Sequence, residues 1–303
     1  MDRLRKIMDQ VIASNKSSPK RVAVAAAGNT EVLEAIRLFN EAGLGTAILI
    51  GSKDKVHECA QQTGCDLIIN EVIDQPDDAK AAALAVAAVR SGDAHFTMKG
   101  ALLTTIYLKA ILNSETGLKA GKLLHAMTVM EIPHIPRLVF IADCGMVIQP
   151  TLEEKIEIIN NMVAAAIKLG IKKPKVACLG SIETISPKMP DTAESAILSK
   201  MAQRGQIENC IIDGPLSFDL ACYPEAVELK KVDSEVAGQA DILLMPDVRA
   251  GNICYKAIMH SCDDAKAGSL IMGATVPVIL SSRSDTPETK LNSFALALAL
   301  AGD

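Results

Sequence analysis

Short runs of Val, Ile and Ala alternate along this chain with helical stretches, and that rhythm restricts the fold more than any other feature. "RVAVAAA" (21–27) reads as a strand. "TEVLEAIRLFNEAG" (30–43) reads as a helix, with Thr30 placed to cap its start and Gly43 lying where it stops. "TAILIG" (46–51) is a second strand, "VHECAQQTG" a short helix and "DLIINE" a third strand. "PDDAKAAALAVAAVRSG" (76–92) is a strong helix, followed by the strand "AHFTMKG" (94–100), the helix "LLTTIYLKAIL" and the strand "PRLVFIAD" (136–143). A β-α-β-α order of this kind requires crossover helices, and so a mostly parallel sheet covered by them.

The texture changes to a loop at "GMVIQPT" (145–151), and the long helix "LEEKIEIINNMVAAAIKLG" (152–170) opens a second unit. Its strands read at "KVACLG" (175–180), "CIIDGP" (210–215) and "DILLMP" (241–246). "SLIMGATVPVILSS" (269–282) holds one or two more, and "KLNSFALALALAG" (290–302) closes as an apolar helix. A length of 303 residues suits two domains. Aromatic residues make up only 3% of the chain and Trp is absent, so the core is aliphatic. That suits helices packed on strands that are apolar on both faces. The fold class expected is therefore α/β.

Several function classes fall away. The net charge is −5, with Lys and Arg dispersed and few aromatics to stack on bases, so nucleic acid is not an expected partner. The eight cysteines contain no CxxC pair and read as reduced thiols of a cytoplasmic protein. "MDRLRKIMDQVIAS" is amphipathic and charged, unlike a signal peptide. The most apolar stretch, "AKAAALAVAAV", falls short of the roughly 20 residues that span a membrane. Neither GxGxxG nor GxxxxGK[ST] occurs, nor HExxH, GxSxG or a Cys/His cluster, so no motif supports a dinucleotide, ATP, a zinc hydrolase or a serine hydrolase.

Ligands of open parallel sheets sit beyond the carboxyl ends of the strands. Lys99 and Gly100 lie there, between a strand and a helix whose N-terminus offers N–H groups to an anion. In "PDVRAGNICYKAIM" (246–259) Gly251 and Asn252 open a helix, and Arg249 and Lys256 add positive charge. "DGPLSFDLA" offers Asp213 and Asp219 as acceptors for a substrate amide or hydroxyl, and His125 stands in "GKLLHAMTVMEIPHIP". Each of these also has a plain reading, as a tight turn, a solvated cation or a structural histidine.

The apolar run in "VPVILSSRSDTPETK" (276–290) ends at Ser281, Ser282 and Arg283, with Asp285 and Glu288 following. Arginine presents a planar fork suited to phosphate oxygens. A neighbouring hydroxyl can donate to an oxyanion, and a carboxylate nearby can move a proton. A capping loop with a surface ion pair is the alternative.

Taken in order, "VAVAAAGNTEVLEAI", "FTMKG", "HAMTVMEIP", "ADCGMVIQPTLEEKIEIINN", "GSIETISPKMPDTAESAIL", "DGPLSFDLA", "VAGQADILLMPDVRAGNICYK" and "GATVPVILSSRSD" resemble the phosphate acetyl- and butyryltransferases over nearly the whole chain. "DGPLSFDLA" and "SSRSDTPETKLNS" look more like the butyryl branch. The resemblance implies two α/β/α domains with a cleft between them, as in isocitrate and isopropylmalate dehydrogenases. The chain would return to the first domain at its end, giving 1–143 with 271–303 as one domain and 144–270 as the other. It also implies a homodimer or larger homo-oligomer.

The reaction implied is reversible: acyl-CoA and inorganic phosphate give acyl phosphate and CoA, with CoA as substrate only and no metal or permanent cofactor required. Arg283 would hold phosphate, helped by Lys99, Gly100, Arg249, Gly251, Asn252 and Lys256, while Ser282 would donate to the carbonyl oxygen. The acetyl branch carries an Asp a few residues after its Ser-Arg. Its counterparts here are Asp285, which we favour, and Glu288, whereas a gapless match falls on Thr289. Arg249 stands where the butyryl branch usually has Glu and the acetyl branch Asn. A non-catalytic acyl-CoA or acyl-phosphate binder and an isocitrate-type dehydrogenase are the alternatives.

Overall fold

The computed structural model describes residues 2–15, 20–121, 123–280 and 285–301. In chain order its elements begin with α1 (Arg3–Asn15), β1 (Arg21–Ala25), α2 (Thr30–Glu41), β2 (Thr46–Gly51), α3 (Lys53–Thr63) and β3 (Glu71–Asp74). Then come α4 (Asp78–Arg90), β4 (Phe96–Lys99), α5 (Thr104–Ile111), β5 (His125–Glu131), β6 (Leu138–Ala142) and α6 (Leu152–Lys168). They continue with β7 (Lys175–Leu179), α7 (Pro190–Gln203), β8 (Ile211–Leu216), α8 (Phe218–Cys222), α9 (Pro224–Lys230) and β9 (Ile242–Leu244). The last are α10 (Val248–Ser261), β10 (Lys266–Met272), β11 (Val278–Ile279) and α11 (Pro287–Ala301).

The chain divides into two compact units. The first comprises Leu4–Lys122 and Gly268–Asp303, the second mainly Leu123–Ala267. Our sequence reading set the first boundary after Asp143. Contacts group β5 and β6 with the later unit instead, because β6 runs parallel beside β9, pairing Phe140 with Ile242. In the first unit the strands follow the order β3-β2-β1-β4-β11-β10. All pairs there are parallel except β10 with β11. In the second the order is β5-β6-β9-β7-β8, parallel apart from β5 with β6. Both units are thus α/β with mostly parallel strands.

The first unit closes on non-local apolar contacts. Phe294 of α11 lies 4.8 Å from Phe39 of α2 and 6.2 Å from Phe96 of β4, centroid to centroid. Each such aromatic pair adds about 0.5–1.5 kcal/mol beyond the area it buries. The end of the chain is therefore fastened to elements laid down far earlier. In the same unit, the buried Tyr107 hydroxyl donates to Thr97 Oγ1 at 3.1 Å, and Thr97 donates to the Ala23 carbonyl at 2.9 Å. That relay ties α5 and β4 to β1.

Two local expectations are corrected. The third strand is not "DLIINE" but Glu71–Asp74. Asn70 stops the earlier residues from extending: its Oδ1 accepts from the Ala47 N–H at 2.7 Å and its Nδ2 donates to the Asp66 carbonyl at 2.7 Å. The resulting turn leaves Ile68 94% exposed. The cap of α2 is Asn29 rather than Thr30, its side chain accepting from the Val32 N–H at 3.2 Å. No described helix is long and apolar enough to cross a membrane.

Candidate functional site

In the first unit β4 ends at Lys99. The Lys99 ammonium donates to the Gly100 and Leu102 carbonyls, each at 3.0 Å, so it is anchored over the loop that follows. Gly100 is needed for a reason the sequence did not reveal. A Cβ there would overlap the carbonyl oxygens of Ala25 and Ala26 at the end of β1. The Gly100 and Ala101 N–H groups already donate to those two carbonyls, each at 2.8 Å. They are not open donors, and α5 begins only at Thr104.

A cavity of about 300 Å³ opens beside this loop, lined by Asn29, Glu31, Asp78, Lys99 and Lys290 among others. Its position at the ends of β1 and β4, next to the first turn of α2, is where an open parallel sheet receives ligands. Lys290 was not singled out from sequence; it lies one turn into α11. β11 ends at Ile279, paired with Met98, the residue before Lys99. Ser282 and Arg283 lie outside the described residues.

Downstream, the Thr289 N–H donates to the Thr286 hydroxyl at 3.2 Å, as at a capped helix start. Thr289 itself is buried, with its hydroxyl 3.0 Å from that of Thr286. The residue on which the gapless match falls is thus enclosed and engaged. Glu288 is exposed in the first turn of α11, and Asp285 is half-buried.

The second unit gathers most of the remaining candidates around one loop. Asp143 follows β6 and is only 2% exposed. Its carboxylate accepts from the N–H groups of Gly145 at 2.5 Å, Met146 at 2.8 Å and Val147 at 3.2 Å, and from Ala126 of β5 at 2.9 Å. Three successive amides that could cradle an external anion are therefore filled by an internal one.

The first turn of α10 seats directly on this loop. A Cβ at Gly251 would overlap the Asp143 carbonyl oxygen. Asn252 Nδ2 donates to the Cys144 carbonyl at 3.0 Å. Asp247, not Gly251, caps this helix, accepting from the Ala250 N–H at 2.9 Å. That bond holds the Asp247 carboxyl below the usual range, and Arg249, 3.1 Å away, adds to the effect. Arg249 is 72% exposed and Lys256 is exposed on the same helix.

His125 is fully buried at the start of β5, with Nδ1 3.4 Å from the Ala126 carbonyl and, among the described residues, no partner for Nε2. Burial lowers its pKa, against the opposing influence of Asp143. Cys144 packs 3.2 Å from the Thr128 hydroxyl, and burial pushes its thiol up to about 11. Asp213 lies within β8, which continues to Leu216, and not at its carboxyl end. Its Oδ1 accepts from the Gly214 N–H at 2.8 Å, and it lines a separate cavity of about 510 Å³ with Lys173 and Asp233. Asp219 accepts from the Ser217 hydroxyl and lies 3.6 Å from Lys230.

The structure thus sets Lys99, Gly100 and Lys290 around one cavity of the first unit. It sets Asp143, Arg249, Gly251 and Asn252 at one joint of the second, with Asp213 apart. Asp143 entered the sequence reading only as the last residue of "PRLVFIAD" and within "ADCGMVIQPTLEEKIEIINN". The signal that could have raised it is an aspartate directly after a buried strand, with a glycine two residues on.

Mostly parallel strands covered by helices, with cations and glycines near their ends, define an α/β protein, and comparison with known proteins narrows its class. Residues 69–298 match the family model described as phosphate acetyl/butaryl transferase, and the chain belongs to that family. It is 43% identical to the phosphate butyryltransferase of Clostridium acetobutylicum, over 98% of this chain and 99% of that one. It is 41% identical to the phosphate acetyltransferase of Thermotoga maritima, over 97% and 99%. Among solved structures, a branched-chain phosphotransacylase from Enterococcus faecalis V583 aligns with a TM-score of 0.83 at 31% identity, covering 93% of this chain and 99% of that one.

Proposed function

We propose that this protein is a phosphate acyltransferase that moves a short acyl group reversibly between CoA and inorganic phosphate. The observation that carries the reading is the 43% identity to a phosphate butyryltransferase across 98% of the chain. In the forward direction a phosphate oxygen attacks the thioester carbonyl, the C–S bond breaks, and CoA leaves as thiolate. Arg283 orients the phosphate, a charge-assisted contact worth about 1.5–3 kcal/mol. Ser282 donates to the oxygen that becomes negative in the tetrahedral intermediate, where one such donor is worth about 2.7–4 kcal/mol. Asp285 takes the thiol proton of CoA in the reverse direction.

Lys99, Arg249 and Lys256 supply the surrounding positive charge for phosphate and the anionic parts of CoA. Gly100, Gly251 and Asn252 contribute through the backbone they shape. His125 is enclosed and Asp213 faces another cavity, so neither is given a substrate contact. The same proposal carries the finer fold reading, of the isocitrate and isopropylmalate dehydrogenase kind, supported by mostly parallel strands in both units. It also carries a cytoplasmic location and a homo-oligomer. For the latter, α10 buries only Gly251 and leaves Ile253 68% exposed.

The test is thiol release from acyl-CoAs of two to six carbons, followed with a thiol reagent with and without phosphate. Release that requires phosphate supports the reading. Its absence across the series refutes it.

A further inference from the structure

Resting on the acyltransferase reading, we infer that Asp143 is a positioning residue: it moulds residues 143–147 into the seat that holds the first turn of α10, and with it Arg249. Four backbone N–H groups converge on its carboxylate, three of them from the loop itself. The fourth, from Ala126, pins the loop to β5, so its position relative to the sheet is fixed. The moulded backbone then presents two carbonyls to α10. The Asp143 carbonyl occupies the space a side chain at position 251 would need, and the Cys144 carbonyl accepts from Asn252. A third link runs from the Val248 N–H to the Ile148 carbonyl at 3.2 Å.

Gly251 and Asn252 therefore act as the helix half of a joint and not as ligands in their own right. Glycine allows the backbones to meet, and the Asn252 amide bolts them together. Arg249 lies in the first turn of the same helix, two residues before Gly251. Among the described residues its guanidinium pairs with the Asp247 carboxylate, and its side chain is 72% exposed. Asp247 belongs to the start of the same helix, so the seat of α10 carries the pair and decides where the cation stands. An asparagine at position 143 would keep the size but offer one acceptor oxygen, and its NH₂ would face amide donors.

The experiment uses the full chain as wild type, Asp143→Asn and Asn252→Ala. Amide hydrogen exchange on the unliganded protein, read over 143–151 and 246–256, needs no activity. Both variants are expected to speed exchange in both segments, Asp143→Asn by tenfold or more. Loosening of 143–151 alone, with 246–256 unchanged, overturns the inference. In phosphate-dependent thiol release from butyryl-CoA, both variants are expected to raise KM for phosphate at least fivefold, with kcat within threefold of wild type. An unchanged phosphate KM in both, with active wild type, also overturns it. Inactive wild type would refute the functional reading, and the exchange result would then decide the joint by itself. If Asp143→Asn does not fold, Asn252→Ala decides through the same two readouts.

Discussion

Asn252 donates its side-chain amide to the carbonyl of Cys144 at 3.0 Å, across 108 positions of sequence. The bond fastens the first turn of α10 to the loop that follows β6. Comparable close approaches recur wherever the structure brings candidate residues together, and they lead to specific expectations.

Gly100→Ala will destabilise the fold with little room for relief. The added methyl overlaps the carbonyl oxygens of Ala25, which ends β1, and of Ala26, which follows it, and both are backbone atoms of buried residues. Overpacking of this kind costs about 1–3 kcal/mol. Urea denaturation should show a lower midpoint with unchanged slope. A midpoint equal to wild type would mean that β1 and β4 are not so closely apposed.

Lys155 and Glu194 will prove unequal partners. Their N–O distance is 2.5 Å, but the Lys155 side chain is 6% exposed and that of Glu194 36%. Removing the acid strands an ammonium inside, which costs about 3–5 kcal/mol. Removing the base leaves a carboxylate that water reaches. Glu194→Ala should therefore lose clearly more stability than Lys155→Met, and the reverse order in denaturation would contradict the burial described.

Stability will fall with acid through His125. Burial lowers its folded pKa, so below its ordinary value of 6.5 the unfolded chain binds a proton that the folded chain excludes. This stability is fully present above that value and is lost as pH falls below it, with a limiting slope of about 1.4 kcal/mol per pH unit. His95, also lowered by burial, adds a similar dependence. Denaturation of wild type and His125→Gln between pH 5 and 8 should give a shallower acid loss in the variant. Parallel curves would show that His125 protonates equally in both states.

The cysteines will divide by reactivity. Cys65, Cys144, Cys178, Cys210 and Cys222 are buried, and burial pushes the thiols of Cys178 and Cys222 up to about 12. Cys59, Cys254 and Cys262 are partly exposed. A thiol reagent at neutral pH, with sites located by mass spectrometry, should mark these three first and the other five only on unfolding. Early labelling of Cys178 or Cys222 would contradict the packing of the second unit.

The parallel α/β plan was legible because apolar runs such as "RVAVA" and "TAILIG" pair as buried parallel neighbours, Val24 beside Leu49. The return of the chain end was expected from the family resemblance, since an apolar helix such as α11 does not say by itself which unit it packs on. β5 was not. "HAMTVME" is wholly buried yet starts and ends with His125 and Glu131, so polarity hid a strand. β3 was misplaced because "LII" reads as strand, while the Asp66 carboxylate accepts from the Ile68 N–H and the Asn70 amide donates to the Asp66 carbonyl, closing a turn. In the candidate site, the cationic strand ends were visible as residue types. The work of Asp143 was not, since a carboxylate that accepts backbone amides looks in sequence like one that meets solvent. Gly100 and Gly251 were visible as glycines, but the backbones that require them lie far away in sequence.

The central claim is that Arg283 holds the phosphate that attacks a thioester. It is tested most directly by measuring thiol release from butyryl-CoA against phosphate concentration, for wild type and Arg283→Ala. Saturable dependence on phosphate is expected in wild type, with KM for phosphate rising about tenfold to a hundredfold in the variant and KM for butyryl-CoA nearly unchanged. Release without phosphate, or equal shifts in both KM values, would contradict it.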